Sequence, residues 1–518
     1  MKKCPLGCRC ALAILICISA FGFVATAQRT GPKFVADEVL VKLRTSAKEK
    51  TAISIAQKLG ANVMEKFGDL GWVHLKLRKG QTVDEAISEF SKMADVETVQ
   101  PNFYYRLLTT PNDALWSDLY GMAKISAPAA WDLTTGSTDV VVADIDTGFD
   151  YTHEDLADNA WKNTGEIPNN GIDDDNNGFV DDYYGYDFRY NDPDPQDENG
   201  HGTHTAGTIG AVGNNSIGVA GVSWHVKIMG IKIYSATGED STSAMVINAY
   251  NYVRMMKMRG VNIVATNNSY GGCPETCGTD IAVKQAIDAM GDAGILNVFA
   301  AGNSGTNNDQ FPFFPASYDS PSIISVGGSD QDDNRIFNYG ATSVDIAAPG
   351  SIIKSTVPAA LQPAKYWNLS GTSMSAPHVT GAAALLASYN PSLTAASLKA
   401  TLINSADVLP AFIGANRAGG RLNVFRALTN QTVCTFNLST NSVTMPTKGG
   451  VFTVDVGAGT NCDLAATTNV KWLHAEGPRT LSGTGTLTFR VGINQTITRS
   501  ATISLAGQTV TVTQSRQH

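Results

Sequence analysis

The chain has 518 residues, a formal net charge of −9, and 43% hydrophobic and 16% charged residues. That length exceeds one compact core and implies about two to four folded units of ordinary globular composition. No Lys/Arg run stands out, so the acidic balance excludes the basic footprint of a nucleic-acid binder.

Lys2 and Lys3 open the chain, residues 11–24 are an apolar run, and Ala25-Thr26-Ala27 is a small-x-small cleavage site. This predicts a secretory signal over 1–27 and export from a bacterium. The alternative, a membrane anchor, needs a longer run, and polar Gln28-Arg29 follow at once. Cys17 follows Ile16 where a lipid anchor needs a small residue. Four of the eight cysteines (Cys4, Cys8, Cys10 and Cys17) lie in this segment. The others form two local pairs, Cys273 with Cys277 and Cys434 with Cys462. An even number in an exported chain favours disulfides. The alternative for the first pair, a metal site, lacks a further Cys or His nearby.

Residues 28–109 read as one small α+β unit. Residues 38–43 and 72–77 alternate as strands, residues 49–59 and 83–93 are helical, and a short strand precedes Pro101. From 110 to 430 strands alternate with helices, as a mostly parallel α/β sheet requires. Residues 140–145, 228–233, 263–265, 295–300 and 323–326 are almost wholly apolar, the mark of strands covered on both faces. Residues 379–389 read as a buried helix. From 431 to 518 the helices stop, and short Thr/Val-rich alternating runs predict a small β-sandwich.

Three segments carry chemistry. "VVVADIDTGFD" ends an apolar strand on Asp146, "NGHGTHTAGTIGA" opens a small-residue helix on His201, and "LSGTSMSAPHVTGAAALL" opens another on Ser373. Each alone has a bland explanation: a turn, a metal pair, an N-cap. Amide hydrolysis needs a nucleophile, a base and a carboxylate to orient the base. Together, in the order Asp, His, Ser, the motifs resemble those of the subtilase family, serine endopeptidases with a mostly parallel sheet flanked by helices. The resemblance implies Asp146, His201 and Ser373 as the triad. "NVFAAGNSG" resembles the segment that supplies the oxyanion-hole Asn, here Asn303, and by analogy the second histidine, His204, is not the base. "NNSYGG" resembles one substrate-binding edge (Ser269, Tyr270, Gly271), with Gly238, Glu239 and Asp240 as the opposite edge and Ala301 and Gly302 between. Phe313 and Phe314 imply an apolar main pocket. Glu239 and Asp240 either favour a basic substrate residue or are merely solvated. The unit at 28–109 resembles the inhibitor propeptides of subtilases, which are ferredoxin-like, with "VETVQPNFYYR" as its tail.

Subtilases are commonly braced by calcium, which the resemblance places at two sites. The first comprises Asp113, Asp155, Asn215 and the carbonyls of Val212, Ile217 and Val219. The second comprises Asp187, Asp192, Asp194 and Gln196. Hard oxygen ligands suit calcium and not zinc. A further run, "GIDDDNNGFVDD", spaces Asp173, Asp175, Asn177 and Asp181 like a calcium loop, and a solvated acidic loop remains the alternative. The last 85 or so residues resemble a BACON module, which implies glycan or mucin contact or else a passive spacer. Leu464 stands where that family usually has Trp. Two function classes follow: a self-processed, broadly specific endopeptidase acting on peptide substrates and inhibited by its own propeptide, or an adhesion protein with a vestigial protease domain.

Overall fold

The computed structural model describes residues 34–44, 49–104, 109–272, 280–432, 434–468, 470–494, 497–505 and 508–515. The expected signal over 1–27 lies outside the described residues. The expected disulfide between Cys273 and Cys277 is not part of the described structure either, because Cys273 and Cys277 both lie outside the described residues.

The first unit runs β1 (Phe34–Leu43), α1 (Glu49–Lys58), β2 (Asn62–Phe67), β3 (Trp72–Lys76), α2 (Val83–Phe90) and β4 (Val96–Phe103). The sheet order is β2-β3-β1-β4, all antiparallel, which is the ferredoxin-like arrangement. The sequence reading missed β2, whose residues are mostly exposed and so lack the alternation that marks a strand. Helix α2 shows why these residues are helical. Thr82 and Glu85 form a reciprocal capping box, worth about 1 kcal/mol for the cap, and Val83, Ala86 and Phe90 recur on the buried face. It ends at Phe90, one turn short of the expected Met93.

The central unit contains α3 (Tyr120–Lys124), α4 (Ala127–Trp131), β5 (Gly136–Asp146), β6 (Gly185–Asp187), α5 (His201–Gly210), β7 (His225–Lys232), α6 (Ser243–Met258), β8 (Ile263–Asn268), α7 (Ile281–Asp292), β9 (Leu296–Ala300), β10 (Ile323–Ser329), β11 (Ile346–Pro349), β12 (Ile353–Thr356), β13 (Tyr366–Leu369), α8 (Thr372–Tyr389), α9 (Ala395–Asn404), β14 (Asp407–Val408), β15 (Gly420–Arg421) and α10 (Val424–Thr429). Nine strands form one sheet in the order β14-β15-β11-β10-β9-β8-β5-β7-β6, parallel except for β14–β15. Strand β5 explains its own apolar run. Val140 and Val142 enter the core shared with α5 and α8, while Val141, Ala143 and Ile145 enter the core shared with α6 and α7. Strands covered on both faces have no polar side to show. Chain order reverses direction across β5, which pairs with β7 on one side and β8 on the other. Crevices at the carboxyl ends of strands beside such a reversal are where open α/β sheets bind ligands.

The last unit is a sandwich of two sheets: β16 (Phe436–Leu438), β18 (Gly450–Ala458), β22 (Gly485–Val491) and β20 (Leu473–Ala475) in one, β17 (Ser442–Met445), β24 (Gln508–Gln514), β23 (Arg499–Leu505), β19 (Asp463–Thr468) and β21 (Thr480–Ser482) in the other. Of the two expected pairs, the second is described: Cys434 and Cys462 are joined by a disulfide. Leu464 is 2% exposed inside this core, so it presents nothing to a ligand. The sandwich is docked on the central unit by a mostly buried ion cluster. Lys399 and Arg417 reach Asp463 at 2.9 and 2.8 Å and also pair with Asp345.

Candidate active site

Asp146 is the last residue of β5, His201 the first of α5, and Ser373 the second of α8. All three face a cavity of about 360 Å³, together with Asn303, Phe313 and Gly238. His201 Nδ1 lies 2.7 Å from Asp146 Oδ1. The approach of α5 to this strand end depends on Gly202. A Cβ there would meet the Gly148 carbonyl oxygen at 1.9 Å, so any side chain would push His201 off Asp146. Burial alone would lower the His201 ring, but the adjacent Asp146 carboxylate, with Asp197 behind it, outweighs burial and raises the ring to about 9.

Helix α8 starts in a tight turn at Gly371, so the Ser373 backbone N–H lies among the unpaired donors of its first turn. The Ser373 hydroxyl donates to the Ser269 carbonyl at 3.0 Å. Asn303 follows β9. Its Oδ1 accepts from the Thr372 backbone N–H at 2.8 Å and from the Thr372 hydroxyl at 3.0 Å. Its Nδ2 is therefore the end left to donate into the cavity. His204, the second motif histidine, is buried. Burial lowers it to about 3, and its Nε2 lies 2.9 Å from the Ile353 carbonyl.

Of the expected substrate residues, Gly238, Glu239, Ser269, Tyr270, Gly271 and Gly302 line the cavity. Asp240 and Ala301 do not. Asp240 is paired with Arg189 at 2.6 Å and accepts from the Ser235 N–H, and Ala301 is fully buried under the sheet end. Phe313 lines the cavity, whereas Phe314 packs on Tyr318 with ring centroids 4.8 Å apart.

The first cation set meets a test of fit. Asp113 and Asp155 are both buried, Asp113 Oδ1 has no hydrogen-bond partner, and burial raises Asp155 to about 6. Asn215 donates to Asp155 Oδ1 at 2.8 Å. Among the described residues no hydrogen bond reaches the carbonyls of Val212, Ile217 or Val219. A buried orphan carboxylate oxygen beside free carbonyls is a hard-oxygen set. The second set is wired differently. Asp187 Oδ1 accepts the Arg189 and Tyr190 N–H groups, with Lys232 nearby; Asp192 Oδ1 accepts the Asp194 N–H, and Asp194 Oδ1 the Gln196 N–H. In the acidic run, Asp173 and Asp175 come together with Glu166, all with ligand atoms within 4.8 Å of one another. The sequence reading missed Glu166, which stands outside the run. Asp181 instead accepts the Asn170 and Gly171 N–H groups, and Asn177 donates to Asp182 at 2.9 Å.

An Asp–His pair and a serine at a helix start, gathered at the carboxyl ends of a parallel sheet, are the arrangement of a serine-type peptidase. The chain belongs to the subtilase family, whose model matches residues 137–448, and a fervidolysin N-terminal prodomain model matches residues 24–102. It is 37% identical to thermitase of Thermoactinomyces vulgaris over 322 residues, 62% of this chain and 99% of that one. It is 31% identical to a thermophilic serine proteinase of Bacillus sp. strain AK1 over 399 residues, 76% and 88% of the two chains. It is 35% identical to subtilisin Savinase of Lederbergia lenta over 292 residues, 56% and 91% of the two. The chain is thus a serine endopeptidase with an N-terminal prodomain.

Proposed function

We propose that the chain is the zymogen of an exported, broadly specific endopeptidase whose triad is Asp146, His201 and Ser373. The observation that carries this reading is the 2.7 Å His201–Asp146 contact opening on the same cavity as Ser373 and Asn303. Rotation about the Ser373 Cα–Cβ bond takes its hydroxyl from the Ser269 carbonyl toward His201. Ser373 Oγ attacks the scissile carbonyl while His201 Nε2 takes its proton, and Asp146 holds the other ring nitrogen and stabilises the imidazolium. The oxyanion is met by Asn303 Nδ2 and the Ser373 N–H. His201 then protonates the leaving amine, and water releases the acyl group by the reverse sequence. This template is that of subtilisin itself, carried over to matching positions.

The peptide lies as an added strand between residues 238–239 and 269–271. Phe313 at the cavity favours an apolar residue at the cleaved bond. Cys273 and Cys277 would close a short disulfide just after the 269–271 edge, which mass spectrometry of a non-reduced digest reads directly. The domain limits are 1–27 signal, 28–109 propeptide, 110–430 catalytic and 431–518 sandwich. The propeptide inhibits until it is cut. Asp113, Asp155 and Asn215, with the carbonyls of Val212, Ile217 and Val219, would hold calcium, which neutralises the buried carboxylates and staples the mature N-terminal segment. The ion cluster under the sandwich supports a stabilising role for it over a free glycan-binding one. Purified protein incubated with casein, with and without a serine-reactive fluorophosphonate, tests the reading. Hydrolysis abolished by the probe, with the label on Ser373, supports it. A folded, processed protein that neither cleaves nor labels would leave the adhesion reading.

A further inference from the structure

A second acid, Asp144, stands two residues before Asp146 on the same face of β5. It is 2% exposed. Its Oδ1 lies 2.8 Å from Asn267 Nδ2, and its Oδ2 lies 2.9 Å from the hydroxyl of Thr205 on α5. These contacts belong to a longer chain of buried polar groups. Asn267 Nδ2 also reaches the Ser269 hydroxyl at 3.0 Å, and that hydroxyl donates to the Ser373 carbonyl at 2.9 Å. At the other end, Thr205 Oγ1 lies 2.9 Å from the carbonyl of Gly202, the residue after His201.

The protons along this chain can be assigned by counting. Ser269 gives its one hydroxyl proton to the Ser373 carbonyl, so it can only accept from Asn267. That fixes the Asn267 amide with nitrogen toward Ser269 and Asp144, and Asn267 Oδ1 faces the Thr380 hydroxyl at 3.2 Å, which it shares with the Ala376 carbonyl at 3.1 Å. Asp144 Oδ1 is therefore an acceptor. Thr205 has one hydroxyl proton and two acceptor oxygens at the same distance, Gly202 O and Asp144 Oδ2. A proton carried by Asp144 on Oδ2 lets Thr205 donate to Gly202 and accept from Asp144, so that both contacts are satisfied at once.

We propose that Asp144 is a positioning residue held as a neutral carboxylic acid, donating to Thr205 and accepting from Asn267, so that it ties the triad-bearing elements β5 and α5, and α8 through Ser269, into one buried network. The charges that face it agree. On β5 there is Asp146 and on α5 His201; opposite it on β7 and β8 stand Gly230 and Asn267, which do not titrate, and α8 adds only Thr380 to the chain. Burial first, and then the Asp146 charge, push the Asp144 carboxyl well up against the pull of its hydrogen bonds and His201. A neutral Asp144 also leaves Asp146 as the near negative charge on the imidazole, so His201 is not made more basic by a second carboxylate.

The functional consequence rests on the triad reading, but the protonation state can be measured without activity. In the Ser373→Ala protein at neutral pH, the infrared difference between Asp144 and Asp144→Asn should show loss of one protonated-carboxyl C=O band. Loss of a carboxylate band instead would overturn the proposal, whatever the state of the active site. In the active enzyme, Asn reproduces both bonds of the neutral acid. Asp144→Asn should keep kcat within roughly three-fold and leave the acid limb of kcat/KM in place. Asp144→Leu should lower kcat by roughly ten- to a hundred-fold with KM unchanged. An acid limb moved to lower pH in Asp144→Asn would show that a negative charge had been removed, and would equally overturn the proposal. Should the Leu variant not fold, the Asn variant and the infrared band decide alone.

Discussion

Ser269 and Ser373 hold each other twice: the Ser373 hydroxyl donates to the Ser269 carbonyl at 3.0 Å, and the Ser269 hydroxyl donates to the Ser373 carbonyl at 2.9 Å. The second bond exists because of Pro377. Proline has no N–H, so the helical bond it would have made to the carbonyl four residues back is missing, and the Ser373 carbonyl is left for a side chain. The first bond directs the Ser373 hydroxyl to a backbone oxygen rather than to His201. The Ser373→Ala protein loses one weak contact and should fold and be exported as usual. It should show no peptidase activity above background and should accumulate as an uncut precursor if processing is autocatalytic. Casein hydrolysis and gel mobility check both, and near-wild-type turnover would sink the triad.

Thr372 grips the amide oxygen of Asn303 with both its N–H and its hydroxyl, and accepts the Gly302 N–H in turn. Asn303→Ala removes an oxyanion donor and should lower kcat by roughly a hundred- to a thousand-fold with KM little changed, a magnitude taken from subtilisin itself. Thr372→Ala keeps the donor but loosens it, so a smaller fall in kcat is expected. Steady-state kinetics of the two variants, compared side by side, would reverse the assignment if Thr372→Ala proved the worse.

The segments that bring Asp146, His201 and Ser373 to one cavity were legible because each sits where period and punctuation change: an apolar run stopping on Asp146, and small-residue helices opening on His201 and Ser373. Pairings were not legible. Nothing local says that Asp240 is claimed by Arg189, 51 residues away, and so withdrawn from the cleft. Glu166 was missed for the same reason, since only folding carries it to Asp173 and Asp175. The sequence of helix α8 reads locally as two pieces, a start at Ser373 and a buried helix from 379. Pro377 argues locally for a break, and packing of Ala376, Val379 and Ala383 in the core overrides it. Asp144 sits inside an apolar strand run, and nothing local marks it out. Its tolerance there depends on Asn267 and Thr205, which are remote in sequence.

The mature N-terminus should lie between about residues 106 and 112. The segment just after it is stapled to the loop at 214–218: the Ser216 N–H reaches Asn112 Oδ1 at 2.8 Å, the Asn214 N–H reaches Asp113 Oδ2 at 2.7 Å, and the Leu115 N–H reaches the Gly218 carbonyl at 2.7 Å. A cut just beyond Asp113 would strip the contacts of Asn112 and Asp113. N-terminal sequencing of the exported enzyme reads the site directly, and a start after Asp113 would contradict both the staple and its cation.

The Asp146 carboxylate makes stability and activity respond to pH in opposite directions. His201 is raised from its usual 6.5 to about 9, so the charged ring is favoured in the folded state. That contribution is fully present below about pH 6.5 and is lost as pH rises through about 9. With His201 as the proposed base, catalysis needs the neutral ring, so kcat/KM should rise over the same window. Melting curves of the Ser373→Ala protein should fall between pH 7 and 10 by more than those of Ser373→Ala/His201→Gln. Equal slopes would show that the Asp146–His201 pair carries no such linkage.

Asp113 and Asp155 are two buried carboxylates on segments that only the folded chain brings together; burial raises both, and the Asp113 charge adds to the cost of ionising Asp155. A bound divalent cation turns that repulsion into attraction and also takes the free carbonyls of Val212, Ile217 and Val219. Binding the native state alone adds about 2.7 kcal/mol when free calcium is a hundred times its dissociation constant. The loop at 212–219 follows α5 directly and carries the staple to Asn112 and Asp113, so losing the cation should free the N-terminal segment and expose it to self-digestion. EDTA should therefore lower the melting temperature of the Ser373→Ala protein, where autolysis cannot intrude, and calcium but not zinc should restore it. In Asp155→Ala the response should vanish, because the remaining acid cannot hold the ion by itself. A calcium response that survives in Asp155→Ala would move the site to the acids around Asp187 or Glu166. An unchanged melting curve, in protein shown by elemental analysis to have lost its metal, would mean that no cation braces this fold.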